Sequence, residues 1–248
     1  MDIQYAPKLS IELALLCEQS YLQYSAYEDS KKWELPKEYR LLETLHAVYE
    51  GVHVPIGFIA EKDNQLYITW RGTDNLEEWI QDAKYEQKHY NFFDASIKVE
   101  LGFGELYNTS KGKTHPSPRA TVIDTLKQQK DFKNVYITGH SLGGALAVLN
   151  ALDVVKNMGH VPIVYTFAGP RVGNPDFVFQ YNQSIQNCWR VVNSHDVVPD
   201  LPPKSCPPIF HEYHYGHVHY EHRITFGNSW DLPADHSLNN YIAALEKQ

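Results

Sequence analysis

Asn134-Val135-Tyr136-Ile137-Thr138-Gly139-His140-Ser141-Leu142-Gly143-Gly144-Ala145 is the stretch that decides the fold. Its first five residues include β-branched and aromatic side chains suited to a buried strand. Gly139 to Gly144 reads as a glycine-rich turn, and Leu142 to Asn157 as an Ala/Leu-rich helix stopped by Gly159. Two further strands follow, Val161–Phe167 and Cys188–Asn193. Strand, helix and strand in that order form a βαβ unit, which implies a parallel sheet with right-handed crossovers.

Working outward, Ile11, Leu13, Ala14, Leu15, Leu16, Tyr21 and Leu22 predict an amphipathic helix with Ser10 as its N-cap, within an N-terminal helical extension over 1–30. Residues 46–60 alternate around Pro55-Ile56-Gly57 and predict two short strands broken there. Gln65–Trp70 predicts a strand ending at Arg71-Gly72-Thr73. Leu76, Trp79, Ile80 and Ala83 follow at helical spacing. Lys111–Arg119 is a basic, Pro-containing loop, a helix leaves it over about Ala120–Lys130, and Leu238–Lys247 is the last helix. Neither an internal repeat nor a long linker divides the 248 residues, so one α/β domain is expected.

Composition removes whole classes of function. The 22 Lys+Arg against 30 Asp+Glu give a formal net charge of −8, which argues against nucleic acid, whose phosphates demand an excess of cations. The same balance gives no electrostatic pull toward anionic lipid. No apolar run reaches the ~18–20 residues of a membrane span. Met1-Asp2-Ile3-Gln4-Tyr5 lacks a basic n-region and an apolar h-region, so no secretory signal is visible. The compartment stays open between cytoplasm, export by another route, and a processed or trimmed secreted chain. Cys17, Cys188 and Cys206 are too few and too scattered for a disulfide framework or a zinc site. Idle thiols are the default, and one disulfide plus a free thiol is the alternative.

Chemistry concentrates at Gly139-His140-Ser141-Leu142-Gly143, a G-x-S-x-G between strand and helix. Such a turn holds the serine strained at the strand's end, with glycines leaving room for close strand–helix approach. The backbone N–H of Leu142 would then face a developing oxyanion near the positive end of the helix. A serine nucleophile needs a base, and the base needs an orienting acid. In α/β-hydrolase order the acid and then the histidine follow the serine. Asp196 and Asp200 both lie just past a strand, whereas Asp153 falls on the helix and is expected to be solvated. Among downstream histidines His160 follows the helix end too closely. His195 and those of 211–222 stay open, and His236 lies in a loop before the last helix.

Five blocks resemble the class 3, fungal-type lipases of the α/β-hydrolase superfamily. They are Trp70-Arg71-Gly72-Thr73, Glu78-Trp79-Ile80-Gln81-Asp82, Thr138–Ala145, Thr166–Pro175 and Asn193–Pro203. The resemblance implies a central mixed, mainly parallel sheet flanked by helices. It implies Ser141 as nucleophile, Asp196 rather than Asp200 as orienting acid, and His236 as base. It also places Thr73 opposite Leu142 in an oxyanion hole, through its backbone N–H and its hydroxyl. No cofactor is implied. The expected substrate is an acylglycerol or another carboxylic ester, with phospholipase A1 and feruloyl-type esterase as alternatives. A metal- or ligand-binding protein on a hydrolase scaffold is the non-enzymatic rival.

The segment after Thr73 commonly forms a lid in this family, so Leu76, Trp79 and Ile80 are lid candidates for transient lipid-interface contact. A surface helix packed on the core is the plainer reading. His211-Glu212-Tyr213-His214-Tyr215-Gly216-His217-Val218-His219-Tyr220-Glu221-His222 raises a metal hypothesis, since His217 and His219 would share one face of a strand. Edge-strand histidines are the default, the family needs no metal for hydrolysis, and no metal ligands are assigned. Several of these rings titrating together would make stability pH-dependent. His115 is read as structural, and Arg171 as an anchor for loops near the mouth of the site.

Overall fold

The computed structural model describes residues 4–49, 51–73, 85–111, 115–129, 131–206, 212–228 and 231–248. The elements run α1 (Pro7–Glu28), β1 (Arg40–Tyr49), β2 (Val52–Lys62), β3 (Gln65–Trp70), β4 (Gln87–Lys88), β5 (Val99–Glu100), α2 (Leu101–Asn108) and α3 (Pro118–Gln128). They continue β6 (Val135–His140), α4 (Leu142–Met158), β7 (Ile163–Phe167), α5 (Pro175–Ser184) and β8 (Cys188–Asn193). Last come β9 (Ser205–Cys206), β10 (Tyr213–His214), β11 (Glu221–Ile224), α6 (Leu232–His236) and α7 (Leu238–Leu245).

Seven strands form the main sheet in the order β1-β2-β3-β6-β7-β8-β11. β1, β2 and β3 pair antiparallel, and every pair from β3 through β6, β7 and β8 to β11 is parallel. The predicted mixed, mainly parallel sheet is therefore present. Alternation along each strand sends residues to opposite faces. Val135 and Ile137 of β6 join Leu146, Leu149 and Leu152 of α4 in one core. Tyr136 turns to the other core, built from Leu13 and Leu16 of α1, Phe167, and Tyr241 and Leu245 of α7. Leu13 and Leu16 are essentially unexposed, and such burial stabilises by about 1.5–3 kcal/mol per side chain. His140 has the same parity as Tyr136, so β6 delivers it to the α1 face.

Several boundaries differ from the expectations for physical reasons. α1 starts at Pro7, whose fixed φ and missing N–H suit a first helical position, so Ser10 lies inside the helix and buried. The strands around residues 46–60 are long rather than broken at Pro55-Ile56-Gly57. β1 runs to Tyr49 and pairs antiparallel with β2 from Val52, and a register shift lets Leu45 face Gly57 and His46 face Pro55. α3 begins at Pro118, capped by the Ser117 hydroxyl, which accepts from the Ala120 N–H. α2 and α5 were not predicted. Asp153 is not solvated: it is fully buried on α4, with Arg119 Nε at 2.8 Å and the Tyr107 hydroxyl donating at 2.8 Å. Burial raises its pKa, and the Arg119 guanidinium opposes that rise.

All three cysteines are free thiols. Cys17 Sγ lies 3.2 Å from Thr138 Oγ1, and burial pushes its pKa up to about 12. Cys188 accepts from the Tyr181 hydroxyl and is likewise pushed by burial to about 12. Among the described residues no helix is long and apolar enough to cross a membrane.

Candidate active site

Ser141 sits between β6 and α4 with φ 58° and ψ −128°, outside the regions an L-residue adopts without strain. Such a residue costs on the order of 1–3 kcal/mol and persists only where its surroundings hold it. Here its N–H donates to Phe167 O of β7 at 2.9 Å, and its carbonyl accepts from Gly144 N at 2.8 Å. The flanking glycines allow the turn. A Cβ on Gly139 would stand 2.1 Å from Gly143 O, and one on Gly143 would stand 2.2 Å from Trp70 O.

His236 Nε2 lies 2.8 Å from Ser141 Oγ, and its Nδ1 lies 2.8 Å from Asp196 Oδ2. All three residues are buried. Asp196 follows β8 and is held at both oxygens. The Val198 N–H donates to Oδ1 at 3.0 Å, and the Tyr241 hydroxyl of α7 donates to Oδ2 at 2.8 Å. That hydroxyl in turn accepts from Asn193 N at 2.9 Å, while Asn193 Nδ2 donates to Asp235 O at 2.9 Å. Burial, followed by the Asp196 charge, drives the Tyr241 pKa far upward and keeps the phenol protonated as a donor.

The structure thus brings Ser141, Asp196 and His236 together and leaves Asp200 outside this contact. Asp200 instead pairs with Arg171 at 3.0 Å, and Arg171 also donates to Asp200 O and to Pro202 O. That arginine ties down the loop just past Asp196. His236 is not in a loop: it ends the five-residue α6, begun by the Asp231 carboxylate accepting from Ala234 N. His195 turns away, with Nδ1 donating to Phe226 O at 2.9 Å.

Leu142 is the first residue of α4, so its N–H has no acceptor within the helix and lies beside Ser141 at the positive helix end. Thr73 follows Gly72, whose backbone presses so closely on the serine that a Cβ there would stand 3.1 Å from Ser141 Cβ. The lid candidates Leu76, Trp79 and Ile80 lie outside the described residues.

The His-rich segment is not one strand. Tyr213–His214 and Glu221–Ile224 are strands, and the residues between them are irregular, so His217 and His219 share no strand face. His217 Nε2 donates to Pro199 O at 2.6 Å and His219 Nε2 to Ile185 O at 3.0 Å. His222 stacks on Tyr5 with ring centroids 3.6 Å apart. His211 lies outside the described residues. Among the described residues no three His, Cys, Asp or Glu side chains gather as metal ligands.

Sequence reasoning missed Tyr241 and Asn193 as parts of the site, and also Tyr21, whose hydroxyl lies 2.8 Å from Nδ1 of His140, the residue before the serine. Asn193 lay within a quoted block, but nothing local marks Tyr241 or Tyr21, which arrive from helices at either end of the chain. His140 was visible only as a variable position of the motif.

A serine on a strained strand-to-helix turn of a mainly parallel sheet, with histidine and aspartate reaching it from later strand and helix ends, defines an α/β-hydrolase. The class 3 lipase family model matches residues 67–206, more than half of the chain. The chain belongs to the class 3 lipase family. It is 36% identical over 159 residues to phospholipase A1-Igamma3, chloroplastic, of Arabidopsis thaliana, matching 55% of this chain and 30% of that protein. It is 35% identical over 147 residues to a Rhizomucor miehei lipase, matching 58% of this chain and 39% of that protein. The chain therefore spans well under half the length of these curated relatives. The solved Rhizomucor miehei triacylglyceride lipase superposes with a TM-score of 0.67 at 28% identity, covering 88% of this chain and 79% of that one.

Proposed function

We propose that this protein hydrolyses carboxylic esters, with acylglycerols as its main substrates, through an acyl-enzyme on Ser141. The observation that carries the reading is the continuous contact from Ser141 Oγ through the His236 ring to Asp196. His236 takes the Ser141 proton as the oxygen attacks the ester carbonyl. The N–H groups of Leu142 and Thr73 stabilise the oxyanion, and His236 returns the proton to the departing alkoxide. Water then repeats the sequence on the acyl-enzyme. Asp196 keeps the proton-bearing Nδ1 of His236 turned toward itself and stabilises the imidazolium. A triacylglycerol lipase whose catalytic centre is a serine-protease triad, similar at a TM-score of 0.67 and 28% identity, supports this reading.

Phospholipase A1 activity is the second reading. It is favoured by relatives carrying that name in Arabidopsis thaliana at 36%, 34% and 38% identity. The test is a rate profile over glycerol and p-nitrophenyl esters of graded acyl length, one phospholipid and one cinnamate ester. The first reading expects the acylglycerols to be cut fastest and Ser141→Ala to abolish all turnover in a folded protein. A phospholipid preferred over every acylglycerol would select the second. Undiminished turnover in Ser141→Ala would overturn both.

A further inference from the structure

The side chain just before the nucleophile is not idle. His140 is 4% exposed and faces α1, as the parity of β6 requires. Its Nε2 lies 2.9 Å from the backbone oxygen of His236, and its Nδ1 lies 2.8 Å from the hydroxyl of Tyr21. The carbonyl can only accept, so Nε2 carries the proton and donates. Burial, reinforced by the neighbouring His236, drives the His140 pKa well below 6.5, so the ring is neutral and its Nδ1 is an acceptor. Tyr21 O–H must therefore donate to Nδ1. Direction and tautomer are fixed from one end of the chain of bonds to the other.

The carbonyl being held matters. His236 is the last residue of α6, where carbonyls have no acceptor-matched N–H within the helix, so this buried oxygen depends on an outside donor. The bond grips the backbone and leaves both ring nitrogens of His236 free for Ser141 and Asp196. Neutrality also matters. The His140 and His236 rings stand 4.7 Å apart, and a second cation at that distance would oppose the imidazolium that forms on His236. Tyr21 touches the other side of the site as well, because a Cβ on Gly72 would stand 2.1 Å from its hydroxyl oxygen.

We propose that Tyr21 and His140 are positioning residues, a Tyr21 O–H to His140 Nδ1, His140 Nε2–H to His236 C=O relay through which α1 sets the catalytic backbone of His236 against Ser141. This rests on the ester-hydrolase reading above. A displacement of about 1 Å at the reacting groups can cost on the order of 10²-fold. His140→Leu, which removes the donor, lowers kcat by about 10- to 100-fold with KM within about threefold, in a protein that still folds but melts at a lower temperature because the buried His236 carbonyl and the Tyr21 hydroxyl lose their partner. His140→Gln, which restores an N–H donor, recovers kcat to within about fivefold of the parent. Tyr21→Phe, a smaller change, lowers kcat by about 3- to 10-fold.

The experiment measures kcat and KM on a p-nitrophenyl ester for the three variants, with melting curves. Side-chain 15N NMR of the parent protein reports the ring of His140. The expected spectrum is a neutral Nε2–H tautomer that does not titrate between about pH 5 and 8. A folded His140→Leu with parental kcat overturns the proposal, as does equal loss in His140→Leu and His140→Gln, or an Nδ1–H tautomer. If His140→Leu does not fold, Tyr21→Phe decides: parental kcat there overturns the relay. A parent protein that hydrolyses no ester defeats the function reading instead, and the tautomer still tests the hydrogen-bond relay itself.

Discussion

Two groups of histidines in this chain have opposite fates. His214, His217, His219 and His222 crowd into nine residues, while His140 and His236 stand 96 positions apart. The crowded group disperses. Two of its rings donate to the carbonyls of Pro199 and Ile185, and one stacks on Tyr5. The distant pair converges to a ring separation of 4.7 Å beside the strained serine. Density along the chain therefore says little about chemistry. What counts is whether a side chain sits at the carboxyl end of a central strand, or on an element whose cap and packing return it there.

The comparison breaks most directly by exchanging one ring from each group. His236→Ala should lower kcat by about 10⁴-fold or more, since the serine would lose its proposed base. The measurement is steady-state turnover of a soluble ester, and a loss under about tenfold would move His236 out of the base role. Under the proposed oxyanion role of Thr73, Thr73→Val keeps the backbone N–H and removes only the hydroxyl, and kcat should fall by about 10²-fold.

A third experiment separates the groups by pH. Burial, then the Arg190 charge, lowers the His217 pKa to about 3. The unfolded chain takes up the proton as pH falls below 6.5, and the folded chain does not. The stability from the neutral ring is thus complete above 6.5 and is lost progressively toward pH 3, at up to about 1.4 kcal/mol per pH unit. His217→Gln, which keeps a donor for Pro199 O, should flatten the fall in Tm between those limits. An unchanged acid slope would show that the ring does not titrate in this way. The smallest effect belongs to His219→Gln, which should leave kcat within about twofold, in chelator as in plain buffer.

Legibility in the sequence followed the range of the interactions. The serine turn was readable because its requirements lie within five consecutive residues, and the parallel pairing of β6 with β7 was readable because α4 intervenes between them, whereas β11 joins β8 in parallel with no α-helix between the two among the described residues. Pro55 misled: it reads locally as a break, yet the pairing with β1 absorbs it through a register shift between Leu45 and His46. α5 carried a start signal, Asn174 before Pro175 with the Asn side chain accepting from Phe177 N, that a purely hydrophobic pattern search passes over. Asp153 looked solvated because Arg119 and Tyr107 lie 34 and 46 residues away. The residue blocks of the family resemblance singled out Asp196 over Asp200, and in the structure Asp200 is taken by Arg171. Tyr21, 119 residues from His140, had no local signal at all.

The central claim is that Ser141 is activated by its contact with His236 and Asp196. It is tested most directly by incubating the folded protein with a fluorophosphonate and mapping the adduct by peptide mass spectrometry. The account predicts a single, rapidly formed adduct on Ser141 that vanishes in Ser141→Ala and slows sharply in His236→Ala. A folded protein that stays unlabelled, or one labelled at another residue, would contradict it.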